Sequence, residues 1–371
     1  MAGGSGTRFW PASRRLSPKQ LLKIAPGSTE SLIAGTVRRL TAVCPAERVL
    51  IATGEHLLEA TRGELPQLPA ACFLGEPQAR NTAPCIGWAA AIVARTDPDA
   101  VVVVVPSDQH VADEPAYVAA LKRAIASAED GVITTIGVQP SRPETGYGYI
   151  ELGELCADIA SQAQGAAGST PSAPLHRVRR FVEKPDRVTA EGYLASGRYV
   201  WNAGMFIFRA RDMLSAIEQH LPELHAGLLR IDAAAQVSAE EELAVTRDVF
   251  LSTPSISIDY GVMERAERLH VVPASFGWSD LGSWESSWEL GARDADENVA
   301  PEHSVLIDAK RNLVCDVRTN AATKRVIALV GVEDLCVIET DDALLVIPRE
   351  RAQDVREVVE QLKRSERGDL T

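Results

Sequence analysis

The sequence predicts an α/β fold, with a doubly wound, Rossmann-like domain over residues 1–293 and a small all-β domain over residues 294–371. In the first part, apolar runs typical of buried strands alternate with helical patterns, which is the element order of a doubly wound sheet. The clearest run is Val101-Val-Val-Val-Val105, since five β-branched residues in a row favour a strand buried on both faces. In the second part, short strand patterns follow one another without a helix between them.

Capping residues and apolar spacing mark the individual elements. Ser28-Thr-Glu-Ser31 precedes Leu32, Val37 and Leu40, a pattern typical of a capped amphipathic helix. Further predicted elements of the first part are strands at 49–53 and 132–137, an alanine-rich helix at 86–94, and acidic helices over 211–250. Those of the second part are strands at 304–307, 313–315, 326–330, 336–338 and 343–347, closed by a helix at 351–363.

Length and composition restrict the class of protein. With 371 residues, of which 46% are hydrophobic and 24% charged, the chain has the composition of a globular protein with a sizeable core. A net charge of −13 argues against nucleic-acid binding. We see no signal peptide and no apolar run approaching ~18 residues, so we expect no membrane association and a cytoplasmic location. The six cysteines include no C-x-x-C pair, and we expect reduced thiols.

The first eight residues, Met1-Ala-Gly-Gly-Ser-Gly-Thr-Arg8, predict an anion-binding loop. Gly3, Gly4 and Gly6 allow close approach of backbone N–H groups to an anion, and Arg8 and Lys19 add positive charge beside them. The alternative is a flexible tail, which the following aromatic pair and the Pro-Lys-Gln segment argue against. The common G-x-x-x-x-G-K-[ST] and G-x-G-x-x-G loops do not match. The sequence therefore predicts a phosphate loop of another kind.

Asp108 is a candidate metal ligand, because it follows the buried run directly in Pro106-Ser-Asp-Gln-His110. Ligands of open α/β sheets bind at the carboxyl ends of the strands, and Mg²⁺ prefers oxygen ligands. The alternative role for this aspartate is to cap a turn or helix.

Several segments together resemble the sugar nucleotidyltransferases, which join a nucleoside triphosphate to a sugar 1-phosphate, and most closely their mannose-1-phosphate guanylyltransferase branch. The segments that carry this resemblance are the loop at 1–8, Glu76–Pro84, Phe181–Pro185, Trp201–Phe206 and Phe276–Trp284. It covers nearly the whole chain, and it implies a GT-A-like nucleotidyltransferase domain followed by a left-handed β-helix-like domain. In the family a buried strand precedes the loop, whereas only Met1 precedes it here. We therefore expect a missing first strand and a true start upstream.

The resemblance also assigns the nucleotide side of the site. It implies that Gly3, Gly4, Gly6 and Thr7 wrap the triphosphate, while Arg8 and Lys19 are catalytic residues that stabilise charge on the phosphates. Residues of the Glu-Pro-x-x-Arg-Asn-Thr-Ala-Pro segment help to form the nucleotide pocket; they are Glu76, Arg80, Asn81 and Thr82. An ordinary helix cap by Asn81 or Thr82 is the alternative for part of that segment.

The sugar and metal sides follow from the same resemblance. It places five residues at the sugar phosphate, namely Gly148, Glu183, Lys184, Asn202 and Asp259. Without the resemblance, Glu183 and Lys184 could form a surface ion pair, and Asn202 could belong to a core strand. The resemblance pairs Asp108 with Asp280 as Mg²⁺ ligands. The family is expected to read Asp-His where this chain reads Asp108-Gln-His110, which leaves the role of His110 open.

The implied reaction is mannose 1-phosphate plus GTP giving GDP-mannose plus pyrophosphate, with Mg²⁺ as the cofactor. One alternative is another nucleotide and sugar pair, such as glucose 1-phosphate with dTTP, UTP or ATP. A second alternative is a non-catalytic regulatory homologue. We expect no nucleic-acid or membrane partner and a homodimer as the assembly. No isomerase-like extension follows residue 371, so we expect a single activity.

Overall fold

A computed structural model describes residues 1–4, 6–25, 28–156, 173–318, 325–365 and 367–371. The helices are α1 Leu32–Leu40, α2 Leu58–Glu64, α3 Thr82–Ala94, α4 Glu114–Glu129, α5 Arg187–Ser196, α6 Ala210–His220, α7 Pro222–Ala235, α8 Ala239–Ser252, α9 Trp284–Leu290 and α10 Val355–Arg364. The strands are β1 Ile51–Gly54, β2 Phe73–Glu76, β3 Val101–Val104, β4 His110–Val111, β5 Ile133–Val138, β6 Tyr149–Leu155, β7 His176–Val182, β8 Tyr199–Arg209, β9 Leu269–Ala274, β10 Trp278–Ser279, β11 Val305–Ile307, β12 Leu313–Asp316, β13 Ala328–Val330, β14 Leu335–Glu339 and β15 Leu344–Pro348.

A six-stranded mixed sheet lies at the centre, in the order β3-β8-β5-β9-β7-β6. Only β5 and β9 pair in parallel within it. On β8, Met205 and Ile207 pack in the layer that contains α4, whereas Phe206 and Phe208 pack in the layer of α3, α6, α7 and α8. Successive strand residues point to opposite faces, so helices cover both faces of the sheet. The doubly wound α/β prediction is confirmed.

Met1 and Ala2 lie between β1 and the end of β3. The amino nitrogen of Met1 donates to the Val105 carbonyl at 3.0 Å, and the amide of Ala2 donates to the Ala52 carbonyl at 2.8 Å. The parallel pair β1–β2 therefore meets the central sheet through these two residues.

The valine run at 101–105 is only partly buried. Val104 and Val105 are buried, but residues 101–103 are half-buried, which differs from the expectation of burial on both faces. The reason is that, among the described strands, β3 pairs with β8 on one side only, whereas its other side meets Met1 near its end.

The C-terminal part coils in a β-helix-like manner. Parallel pairs join β11 to β13 and β12 to β14, and β15 adds antiparallel to β14. Helix α10 closes this part, as predicted, after a 3-10 turn at Arg349–Asp354. No helix within the described residues is both long and apolar enough to cross a membrane.

The C-terminal part packs directly on the N-terminal loop. Phe9, Trp10 and Trp284 share one apolar cluster with residues of β12, β14, β15 and α10. The indole N–H of Trp10 donates to the Leu370 carbonyl at 2.8 Å, and that of Trp284 donates to the Trp10 carbonyl at 3.0 Å. The loop that the sequence singles out is thus held from behind by the β-rich part.

Candidate active site

Gly6 shapes the N-terminal loop around Lys19. Its φ is 57°, and a Cβ at this position would lie 2.6 Å from the Lys19 Cβ, so a side chain here would collide with the lysine. The Phe9 amide donates to the Gly6 carbonyl at 2.9 Å, which begins the 3-10 turn Thr7–Phe9. Gly3 and Gly4 are exposed, and a Cβ on either would meet none of the described residues beyond its chain neighbours within 4 Å, so they leave room for a ligand.

Lys19 connects the loop to both predicted metal ligands. Its side chain is almost fully buried, and its ammonium lies 2.9 Å from Oδ2 of Asp108 and 2.5 Å from the backbone carbonyl of Asp280. Three residues that are far apart in the sequence therefore converge on one positive charge.

One hydrogen bond holds the carboxylate of Asp280. The Tyr147 hydroxyl donates to Oδ1 at 2.6 Å. Burial, and then the negative charge of Asp280, raise the pKa of Tyr147, so its hydroxyl keeps the proton that it donates. A Cβ on Gly282 would lie 3.0 Å from Oδ2 and 3.4 Å from a guanidinium nitrogen of Arg8. Leu281, between them, is fully buried at a φ of 46°, a strained backbone of the kind that gathers at functional sites.

Asp108 and Asp280 suit a divalent metal that also binds substrate phosphates. Oxygen atoms of both residues already approach one cation, the Lys19 ammonium. Within the described ranges, no group of three or more His, Cys, Asp or Glu side chains could hold a metal ion. Mg²⁺ commonly takes one or two carboxylates and completes its ligands with phosphate oxygens and water. The donor set fits that mode of binding.

The five predicted sugar-phosphate residues come together on the other side of Tyr147. Asn202 Nδ2 donates to Oδ1 of Asp259 at 2.9 Å, and the Asn202 amide donates to the Gly148 carbonyl at 2.8 Å. A Cβ on Gly148 would lie 2.5 Å from Oε2 of Glu183, so glycine is needed for this close approach. The Lys184 ammonium lies 2.8 Å from Oε1 of Glu183.

Electrostatics of this cluster favour a polar ligand. Asp259 begins a π-helix, Asp259–Met263, and burial, followed by the charge of Glu183, raises the pKa of Asp259 to about 6. The hydrogen bond from Lys184 to Glu183 raises the pKa of the lysine, which keeps its ammonium charged. Two carboxylates, an amide and an ammonium in one place can bind both hydroxyls and a phosphate.

The two groups of residues border one cavity of about 500 Å³. Arg8 and Asp280 lie on one side, and Gly148, Glu183, Asn202 and Asp259 lie on the other. Lys19, Asp108 and Lys184 do not line the cavity themselves. Lys19 donates to the lining residue Asp280, and Lys184 pairs with the lining residue Glu183. Asp108 pairs with Lys19.

Several residues that line the cavity were not predicted as site residues from the sequence. Tyr147 is held edge-to-face between Trp201, at 5.1 Å, and Trp278, at 5.4 Å, between ring centroids. Gln109 lines the cavity whereas His110 does not; Gln109 Nε2 donates to the Ala203 carbonyl at 2.8 Å. The other lining residues that were not predicted include Arg142, Glu144, Ser283, Glu285, Glu289 and Gln353. The Tyr147-Gly148-Tyr149 segment is a sequence signal from which this aromatic wall could be predicted.

The predicted nucleotide-pocket residues lie outside this cavity and make internal contacts. Arg80 Nε donates to the Phe250 carbonyl at 2.7 Å. Asn81 caps α3, and the Thr82 hydroxyl accepts the Ile258 amide at 2.8 Å. Burial raises the pKa of Glu76, which lies beside Cys85 and the Met1 amino group. The capping alternative thus describes Asn81, and a nucleotide role for the segment stays a prediction.

Comparison with known proteins identifies the family. Residues 1–297 match the family described as Nucleotidyl transferase. The chain belongs to this family. Residues 302–362 of this nucleotidyl transferase match the MannoseP isomerase/GMP-like beta-helix domain, which confirms the β-helix-like second part. The expected resemblance to nucleotidyltransferases is confirmed as well.

Relatives of this nucleotidyl transferase match it over its whole length. It is 40% identical to the Xanthan biosynthesis protein XanB of Xanthomonas campestris pv. campestris (strain B100), covering 100% of this chain and 74% of that protein. It is 37% identical to a mannose-1-phosphate guanylyltransferase of Klebsiella pneumoniae, with the same coverage. A solved structure from Thermus thermophilus, named mannose-1-phosphate geranyltransferase, has a TM-score of 0.81 and 35% identity over 98% of both chains.

Proposed function

We propose that this nucleotidyl transferase is a mannose-1-phosphate guanylyltransferase, which converts mannose 1-phosphate and GTP into GDP-mannose and pyrophosphate. The observation that carries the proposal is that two sets of charged and polar residues border one cavity. Arg8 and Asp280 supply the phosphate side, and Lys19 is hydrogen-bonded to the backbone carbonyl of Asp280. Glu183 and Asn202 supply the hydroxyl-binding side. Full-length relatives that bear the guanylyltransferase name support the choice of GTP and mannose 1-phosphate.

The reaction requires positioning and charge stabilisation. A phosphate oxygen of the sugar phosphate attacks the α-phosphorus of GTP in line, and pyrophosphate leaves with the electrons of the broken P–O bond. A phosphate monoester has a second pKa near ~6 and is ionised at neutral pH, so no general base is needed. Arg8 and Lys19 stabilise negative charge on the reacting and leaving phosphates. Lys184 binds the phosphate of the sugar and orients the attacking oxygen.

We assign Mg²⁺ to Asp108 and Asp280, on the donor set described above. Bound there, the ion would neutralise charge on the reacting phosphates. Release of Asp108 from its pair with Lys19 frees both groups, the carboxylate for the metal and the ammonium for a phosphate. Asp280 keeps its orientation through Tyr147.

The sugar-phosphate subsite discriminates by hydrogen bonds. Glu183 and Asp259 accept from sugar hydroxyls, and Asn202 can both donate and accept. A site built to bind hydroxyls rejects a sugar that lacks one, because its buried polar groups are then left unpaired. The nucleotide pocket at residues 76–82, the division at residues 293 and 294, and the homodimer stay proposals.

Pyrophosphate release tests this function. The purified chain is assayed with Mg²⁺ across GTP, ATP, UTP and dTTP, each against mannose, glucose and N-acetylglucosamine 1-phosphates. We expect the highest kcat/KM with GTP and mannose 1-phosphate, and no release from an Asp108→Ala/Asp280→Ala protein prepared in parallel. A higher kcat/KM with another pair would refute the substrate assignment, and a silent grid would favour the regulatory alternative.

A further inference from the structure

Tyr147 contacts both sides of the cavity. Its hydroxyl donates to Oδ1 of Asp280 at 2.6 Å, and its backbone carbonyl accepts the Lys184 amide at 3.2 Å. Lys184 itself has a left-handed backbone, with a φ of 48°, which this contact helps to hold. One residue therefore links the predicted metal carboxylate to the segment that carries the sugar-phosphate lysine.

The ring of Tyr147 has little freedom to move. Trp201 and Trp278 contact it edge-to-face on two sides, at interplanar angles of 83° and 72°. Such aromatic contacts have a preferred geometry, and a tyrosine side chain has only two rotatable bonds to its ring. The hydroxyl is thus presented to Asp280 from a fixed point.

The hydrogen bond leaves one oxygen of the carboxylate for another partner. Oδ1 of Asp280 accepts from Tyr147, and a Cβ on Gly282 would lie 3.0 Å from Oδ2 and 3.2 Å from Oδ1, so the carboxylate faces a position without a side chain. Lys19 meanwhile uses the backbone carbonyl of Asp280 rather than its carboxylate. Donors that hold a metal-binding group in place in this way commonly set metal affinity.

We propose that Tyr147 is a positioning residue, which orients the Asp280 carboxylate for a divalent metal and couples that orientation to the sugar-phosphate segment at Lys184. This inference rests on the proposed function for the identity of the reaction. Loss of the hydroxyl lets the carboxylate rotate, so metal binding weakens by about tenfold, the lower end of the range for such outer partners.

Tyr149 provides a matched control in the same segment. It is fully buried, and its hydroxyl makes no hydrogen bond to Asp280. The Tyr147→Phe and Tyr149→Phe proteins each lose one tyrosine hydroxyl, but only the first loses a contact with Asp280. A purely structural effect of removing such a hydroxyl would be shared by both.

The experiment measures Mn²⁺ binding to the full chain in the presence of GTP, from the electron paramagnetic resonance signal of free Mn²⁺. We expect an about tenfold weaker Kd for Tyr147→Phe and an unchanged Kd for Tyr149→Phe. In an Asp280→Ala background, Tyr147→Phe should cause no further loss, because the group that it orients is gone. A wild-type Kd for Tyr147→Phe, an equal loss in Tyr149→Phe, or a full additional loss beside Asp280→Ala would overturn the proposal.

Turnover separates this proposal from the proposed function. At saturating substrates, Tyr147→Phe should require about tenfold more Mg²⁺ for half-maximal pyrophosphate release. A wild-type protein that uses another nucleotide and sugar pair would refute the proposed substrates, yet Mn²⁺ binding with that nucleotide would still test Tyr147. A higher KM for the sugar phosphate at an unchanged Mn²⁺ Kd would limit Tyr147 to the sugar side and refute its action on Asp280.

Discussion

The ammonium of Lys19 lies 2.9 Å from a carboxylate oxygen of Asp108, and the lysine is only 6% exposed. Asp108 is less buried, with a side chain that is 39% exposed. The pair is therefore asymmetric: the cation depends on its partner for compensation, while the anion still reaches water. Such a carboxylate can exchange its partner when phosphates arrive.

Replacement of Lys19 by methionine should lower kcat at least about 100-fold, the scale seen when one preorganised charge contact is removed. The fold should be retained, because methionine fills a similar volume and the unpaired Asp108 remains partly hydrated. The measurement is pyrophosphate release together with circular dichroism, with the exposed Lys122→Met as the control. Turnover like that of the wild type would remove Lys19 from the catalytic assignment.

Gly6 should not tolerate a side chain. In Gly6→Ala the Cβ would meet the Lys19 Cβ at 2.6 Å and its amide nitrogen at 2.7 Å, on a backbone with a positive φ. The clashing atoms belong to or adjoin the Lys19 backbone and cannot move aside as the end of a side chain can, so the whole lysine must shift. We expect at least a tenfold loss of kcat/KM, roughly the cost of a small misplacement of a catalytic group. Gly63→Ala, whose Cβ would meet no atom of the described part of the chain within 4 Å apart from its own helix and chain neighbours, is the matched control. Equal kcat/KM in the two variants would contradict this steric account.

The place of Asp108 in the fold is readable from the sequence, for a physical reason. Asp108 follows a buried strand, and parallel or mixed α/β sheets gather ligand groups at strand ends, so its place was readable locally. The partner Asp280 was found only through the resemblance. The bond from Tyr147 to Asp280 could not be predicted, because it depends on how two distant segments meet.

Arg80 shows why a donor-rich segment has two readings. A guanidinium at the mouth of a helix suits a nucleotide, but Arg80 donates to the Phe250 carbonyl in the last turn of α8. The final carbonyls of a helix lack intrahelical partners and attract donors as a ligand does. The sequence pattern alone does not distinguish a helix-end carbonyl from a ligand as the acceptor.

The antiparallel pairing of β8 with β3 and β5 could not be predicted either, since strand direction leaves no local signal in the sequence.

Trp284 should be essential to the contact between the C-terminal part and the loop. Its fully buried indole N–H donates to the Trp10 carbonyl, and its ring packs 4.9 Å from that of Phe9. Trp284→Phe leaves a buried carbonyl unpaired, so the free energy of unfolding should fall by about 1–3 kcal/mol. Urea denaturation measures this change. The control is Trp288→Phe, whose indole N–H donates to the Glu297 carbonyl at a more exposed position; an equal loss there would argue against a special role of Trp284.

The buried charge of Asp259 should lower the free energy of unfolding at neutral pH. Burial raises its pKa from 3.8 to about 6, so the folded state holds a proton that the unfolded state releases. The contribution of Asp259 to the free energy of unfolding is most favourable below the unfolded pKa and is lost as the pH rises through about 6.

Asp259→Asn keeps the acceptor for Asn202 and removes the buried charge. We expect it to raise the free energy of unfolding by about 2–3 kcal/mol at pH 7.5 and by less at pH 4.5, while it weakens sugar-phosphate binding. Urea denaturation at both pH values checks this, with the exposed Asp97→Asn as control. A gain that does not depend on pH, or a loss at pH 7.5, would show that Asp259 is compensated in the folded protein.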